Sequence, residues 1–131
     1  MMRYWPALLL LIMAFDTMAN DGLIPRVHFL SNSDTIPEEE KILINQNITW
    51  LKKNTSTVVI LEGHCDEWGE HTYNMELGDR RAREVKSYLI EKGIDPERTI
   101  MVVSFGETRP LDVRHVNEAW QQNRRVEFVL R

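Results

Sequence analysis

The sequence predicts a two-layer α/β sandwich, with a mixed four-stranded sheet and two main helices on one of its faces. Two patterns carry that expectation. Short apolar runs at Val27–Phe29, Thr57–Glu62, Thr99–Ser104 and Val126–Leu130, the second of them rich in β-branched residues, read as strands. Between them, two longer stretches, about residues 36–53 and 74–92, keep apolar residues at near-helical spacing. Strands interleaved with helices favour one sheet covered by helices. A chain of 131 residues, 43% hydrophobic and 27% charged, has material for one core and one domain. The recurrence of Val, Ile, Leu, Trp and Phe excludes a disordered chain.

In chain order, Met1–Ala19 stands apart. Arg3 precedes the apolar run Ala7–Phe15, and small residues at Thr17 and Ala19 mark a cleavage site before Asn20. This is the pattern of a secretory signal peptide. The run falls short of the ~20 residues that span a bilayer, although an uncleaved anchor or a buried helix would also use it. Loss of residues 1–19 removes one Arg and one Asp, so the net charge of −4 is unchanged. Residues 20–26 read as a short polar leader containing Pro25, and residues 27–131 as the domain.

Thr35 or Asp34 is placed to cap the first helix, Pro37 suits its first turn, and Glu38–Glu40 suit the positive end of its dipole. Lys52 and Lys53 suit the other end, and Asn54 closes it. Gly63 is expected to end the second strand. Asn74 is expected to cap the second helix, whose inner stripe is Gly78, Ala82, Val85 and Leu89, and which Gly93 stops. Residues 106–122 form a long connection, with one helical turn near Glu118–Gln121.

The chemistry concentrates between Gly63 and Leu89, where an acidic loop precedes a basic helix. Asp66 lies just past a strand end, where loops carry function. Arg81 stands four residues after Leu77, on the same helical side, and can reach that loop. A carboxylate facing a guanidinium across a gap suits a ligand bearing both an amine and a carboxylate. The same spacing also fits a simple Asp66–Arg81 ion pair. His64, Cys65, Asp66 and His71 supply zinc-type ligands, but no second Cys-x-x-Cys or His-x-x-x-His completes a four-ligand set, so no metal or other cofactor is expected. Cys65 with His64 or His71, and Ser104 with His115, lack an orienting third group, so an enzyme is not expected. Arg80-Arg81 and Asn123-Arg124-Arg125 could touch phosphate, yet acidic residues outnumber basic ones, 20 to 16, which argues against a nucleic-acid partner. Trp68, in a polar loop, is an aromatic beside the candidate site. With Cys65 as the single cysteine, no internal disulfide can form.

Several blocks then resemble one family. Gly63-His64-Cys65-Asp66-Glu67-Trp68-Gly69 is similar to a GHTDERG loop. Asn74-x-x-Leu77-Gly78-x-x-Arg81-Ala82-x-x-Val85 is similar to the helix that follows it, and Ser104-Phe105-Gly106 through Pro110 to Asn123-Arg124-Arg125 is similar to an SYGxxxP…NRR segment. Together they resemble the OmpA-like C-terminal domain family, and within it the peptidoglycan-associated lipoproteins. The resemblance implies non-catalytic binding of peptidoglycan through the diaminopimelate of its stem peptide. Asp66 would meet the amine and Arg81 the carboxylate. Asn74, Leu77 and Gly78 would shape the pocket, Arg124 would support it or touch the ligand, and Phe29 would occupy the first-strand aromatic position. A TolB-like periplasmic β-propeller is the implied protein partner, and the periplasm or the periplasmic face of the outer membrane the implied location. This chain departs from the pattern at Cys65, where threonine is usual, at Trp68, where arginine is usual, and at Leu30, where aspartate or glycine is usual. No lipidation cysteine follows the apolar run.

Overall fold

A computed structural model describes residues 22–131, so the expected signal peptide lies outside the described residues. The elements are β1 (Arg26–His28), α1 (Glu38–Lys53), β2 (Val59–His64), α2 (His71–Glu91), β3 (Ile100–Gly106), α3 (Asn117–Asn123) and β4 (Arg125–Leu130). They form the expected mixed sheet, of four strands in the order β1-β4-β2-β3. β4 runs antiparallel to both β1 and β2, and β3 runs parallel to β2. The chain's last strand is therefore internal, and α2 serves as the crossover that a parallel β2–β3 pair requires.

Alternation along the strands decides which sheet face is dry. Val27, Val59, Leu61, Ile100, Val126 and Phe128 point into one core with Ile44, Ile48 and Leu51 of α1 and Ala82, Val85 and Leu89 of α2. The predicted inner stripe of α2 is thus its buried face. The connection before β4 folds into α3, a longer helix than the single turn expected there.

Three local expectations are corrected. Neither Asp34 nor Thr35 caps α1, because Pro37 is its N-cap and makes no side-chain cap bond. Asp34 instead pairs with Arg80, and the Thr35 N–H donates to Ser33 Oγ. Gly63 does not end β2, which continues to His64 through a register shift. Leu23 packs against the core, and Asn47 exchanges two hydrogen bonds with the Ile24 backbone, so the end of the supposed leader is docked onto the domain.

Gly63 and Gly78 explain how closely α2 lies on the sheet. A Cβ on Gly63 would stand 1.8 Å from the Gly78 carbonyl oxygen, and one on Gly78 would stand 2.3 Å from Ser104 Oγ. No other residue lets the two backbones approach this far. The contact fixes the start of α2 over the end of β2, and both bear on the site.

Candidate functional site

The end of β2, the loop 65–70, the first turns of α2 and the turn 30–33 enclose a hollow of about 190 Å³. Cys65, Asp66, Asn74, Leu77 and Arg81 line it, joined by Ser31, Asn32, Trp68, Gly69 and Tyr73. The structure therefore brings five of the eight sequence-expected site residues together. The remaining three lie behind it or beside it. Gly78 is the backbone contact to Gly63 and Ser104. Phe29 is buried with its ring 5.2 Å from the Arg81 guanidinium. Arg124 donates from Nη1 to Asp66 Oδ2 at 3.1 Å and from Nε to the Phe29 carbonyl at 3.0 Å.

Asp66 is consequently paired, but with Arg124 and not with Arg81. Its other oxygen accepts the Trp68 N–H at 3.1 Å. A carboxylate has about four acceptor positions, so two stay unspent. Arg81 is fully buried. Its Nε donates to Ser33 O at 2.8 Å, Nη1 to His64 O at 3.0 Å and Nη2 to Leu30 O at 3.0 Å, and Nη1 also lies 3.6 Å from Cys65 Sγ. Of its five donor hydrogens, one on Nη2 is left over. Burial and the neighbouring Arg124 push its pKa down, while Cys65 and Asp66 push it up. Arg81 is a clamp that ties the turn 30–33 to the end of β2, with a single donor to spare for the hollow.

Asn74 does not cap α2, whose first residue is His71 and whose N-cap is Glu70. Its side-chain amide donates back to Trp68 O at 3.0 Å and so fixes the acidic loop. The Cys65 thiol donates to Asn74 O at 3.2 Å. Burial, the largest influence, pushes that thiol up to about 11, so it is a neutral donor standing in for a hydroxyl and not a thiolate nucleophile. Trp68 is 60% exposed and meets Trp120 edge-on, with ring centroids 5.3 Å apart. Trp120 Nε1 donates to Glu67, which also contacts His115.

The two histidines His64 and His71 do not face the hollow's lining residues as ligands. His71 contacts Glu107 at 3.0 Å. His64 is buried and stacks on Phe105; neither ring nitrogen makes a hydrogen bond, and Nε2 lies 3.5 Å from Glu62 Oε1. Among the described residues, no group of three or more His, Cys, Asp or Glu is arranged to hold a metal ion. Burial, aided by Arg125, lowers the His64 pKa to about 4. The unfolded chain, with an ordinary histidine near 6.5, binds more protons between those values. Stability from this group is therefore complete above pH ~6.5 and is lost as pH falls toward 4. A drop on the order of 3 kcal/mol is expected across that window. His64→Gln should remove this part of the pH slope in urea denaturation at pH 7, 5.5 and 4, and an unchanged slope would refute the assignment.

Tyr73, Asn32 and Ser31 were not anticipated from the sequence. Tyr73 shares the i, i+4 row of Leu77 and Arg81, a signal that was available. Its hydroxyl bonds to Asn32, which sits at φ 55. That turn is held at the hollow by Tyr73 and by Arg81, which reaches across 48 to 51 residues of sequence.

Comparison with known proteins agrees with this architecture. The chain is 47% identical over 76 residues to the peptidoglycan-associated lipoprotein of Pseudomonas aeruginosa, covering 58% of this chain and 45% of that one. It is 44% identical over 97 residues to that of Pseudomonas putida, covering 74% and 57%. The chain thus spans about half the length of these curated relatives. The crystal structure of the peptidoglycan-associated lipoprotein from Burkholderia pseudomallei superposes with a TM-score of 0.78 at 29% identity, over 82% of this chain and 91% of that one. The OmpA family profile matches residues 28–124. With the sheet order, the paired glycines and the loop–helix hollow all in place, the chain belongs to the OmpA family.

Proposed function

We propose that this domain binds peptidoglycan without cleaving it, on the periplasmic side of the cell envelope, by taking the diaminopimelate of the stem peptide into the hollow. The observation that carries this is the pair of unspent capacities at its walls: acceptor positions on Asp66 and one donor hydrogen on Arg81. The far end of a diaminopimelate side chain carries an ammonium and a carboxylate, which match them in kind. A hollow of about 190 Å³ is below the ~300–1,000 Å³ of sites that engulf a whole small molecule. It suits one side-chain end. The names of the relatives, as peptidoglycan-associated lipoproteins, support peptidoglycan as the polymer bound.

Calorimetry with a diaminopimelate-containing stem peptide tests this reading. Asp66→Asn keeps the shape of the loop and removes its charge, and charge-assisted contacts of this kind are worth about 2 kcal/mol or more. A loss of at least about 30-fold in affinity is expected. A stem peptide with lysine in place of diaminopimelate lacks the distal carboxylate and should bind about tenfold more weakly. Equal binding of both peptides, or wild-type affinity in Asp66→Asn, would refute the proposal. Trp68→Ala, at an exposed position on the rim, should weaken the stem peptide about tenfold with no change in Tm.

A second reading makes the same face a docking site for a TolB-like periplasmic protein. Exposed Leu30, Trp68 and Tyr73 beside the hollow favour it. Cross-linking in cells with Asp66→Asn separates the two readings, since sacculus binding would be lost while a protein partner docked on Leu30, Trp68 and Tyr73 would still be captured.

A further inference from the structure

The acidic loop is tied to the chain that follows β3 by side chains outside the hollow. Glu67 lies between Asp66 and Trp68, which both line the hollow, but its own carboxylate reaches the connection and α3 instead. Its Oε2 stands 2.6 Å from His115 Nδ1 and accepts the Trp120 Nε1–H at 2.9 Å, and its Oε1 stands 2.9 Å from the same histidine nitrogen. Four residues on, at the start of α2, His71 Nδ1 lies 3.0 Å from Glu107 Oε1 and 3.3 Å from Oε2. The two pairs are reciprocal. The loop side supplies the glutamate in one and the histidine in the other, and both join residues 67–71 to residues 107–120.

These ties bear on the rim. Trp68 meets Trp120 edge-on, so the indole that Glu67 anchors is the one that supports the aromatic at the mouth of the hollow. Both histidines are open to solvent protons, their side chains being 80% exposed at His115 and 62% at His71. A neutral imidazole gives a carboxylate an ordinary hydrogen bond, whereas an imidazolium gives a charge-assisted one, roughly twice as strong. An ordinary histidine gains its proton as pH falls through about 6.5. The Trp120 and His115 hydrogen bonds hold the Glu67 carboxyl below the usual carboxylate range, so it stays ionised through that window. Of the other charges beside His115, Arg114 is paired with Asp112 at 2.7 Å and Glu118 opens α3. Beside His71, Glu70 is the adjoining charge on the loop.

We infer that Glu67 is a positioning residue for the rim of the hollow, and that with the His71–Glu107 pair it forms a latch that closes more firmly as its surroundings turn mildly acidic. Its bearing on ligand affinity rests on the function proposed above. A loop held by exposed contacts opens locally, and a ligand that needs the closed form binds in proportion to the fraction already closed. Above about pH 7.5 the imidazoles are neutral and the latch is weaker. Below about pH 6 they are charged while the glutamates are still ionised, and the latch is tighter. Exposed ion pairs are individually weak, so the two together move affinity severalfold and not by orders of magnitude.

Calorimetry at pH 8 and pH 5.5 tests the latch, with a diaminopimelate stem peptide whose α-amine is acetylated so that the ligand does not titrate between them. His64, at about 4, also lies below this window. Wild-type protein is expected to bind about three- to fivefold more tightly at pH 5.5. Glu67→Gln keeps an acceptor for Trp120 and leaves the His115 charge in place, and it should cut that ratio to about twofold. Glu67→Gln/Glu107→Gln should abolish it. In ligand-free ¹⁵N-labelled protein, the Trp120 indole N–H resonance should move between the two pH values, and should stay still in Glu67→Gln. Equal wild-type affinities at both pH values would overturn the latch and leave the stem-peptide reading intact. A ratio that survives in the double variant would show the histidine charges acting on the ligand directly, and would overturn it too. An indole that moves as expected in a protein that binds no stem peptide at either pH would uphold the latch and refute the stem-peptide reading instead.

Discussion

Arg81→Ala is expected to destabilise the domain by about 3–5 kcal/mol, before any question of ligand arises. The sequence suggested an arm reaching out to a ligand. The structure holds a buried guanidinium at the wall of the hollow, bonded to the carbonyls of Leu30, Ser33 and His64. Truncation leaves those oxygens without their donor and opens a void beside Phe29 and Leu77. In a domain of this size the loss corresponds to a fall in Tm of roughly 10–20 °C. Backbone amides of residues 30–33 should exchange faster than the rest of the sheet, because they lose their tie to β2. A variant within about 1 kcal/mol of wild type in urea denaturation would show that the clamp is dispensable. Loss of sacculus binding in Arg81→Ala is therefore ambiguous, and the lysine stem peptide interrogates the ligand contact without disturbing the clamp.

Gly63→Ala is expected to be the more damaging of the two backbone-glycine changes, costing at least about 3 kcal/mol. Its added methyl would stand 1.8 Å from the Gly78 carbonyl oxygen, 2.4 Å from its carbonyl carbon and 2.9 Å from its Cα. Every one of these atoms is backbone, so no rotamer change relieves the clash. α2 must lift away from β2, which separates Asn74 and Arg81 from the loop they hold. Gly78→Ala meets the Ser104 hydroxyl first, at 2.3 Å, and a Gly78→Ala/Ser104→Ala double variant should recover part of the lost stability. Gly63→Ala has no comparable rescue. Thermal melts of the three variants decide the matter, and a Gly63→Ala melt near wild type would contradict the packing described here.

These expectations differ in how visible they were beforehand. The strands at 59–64, 100–106 and 125–130 were legible because they fall on short apolar runs rich in β-branched residues, and both long helices because their apolar residues recur at near-helical spacing. The single-residue features were less so. Asp34 and Thr35 have cap chemistry, but Pro37 sets the helix entry and Asp34 is drawn to Arg80 from another element. Asn74 has the right residue type for a cap and lies three residues inside the helix, because its amide is worth more on the loop carbonyls. Gly63 reads locally as a breaker, whereas its place in the strand depends on a helix that passes over it.

Local order alone therefore determined the elements, the sheet-and-helix class and the segment where recognition chemistry gathers, since hydrophobic spacing and motif residues are written along one stretch of chain. Only the folded molecule decided that Asp66 pairs with Arg124, 58 residues away, and that Arg81 is spent mostly on carbonyls. Those outcomes depend on which charge reaches which partner first in three dimensions. A buried donor or acceptor takes the nearest partner the packing offers, and sequence spacing does not encode that distance.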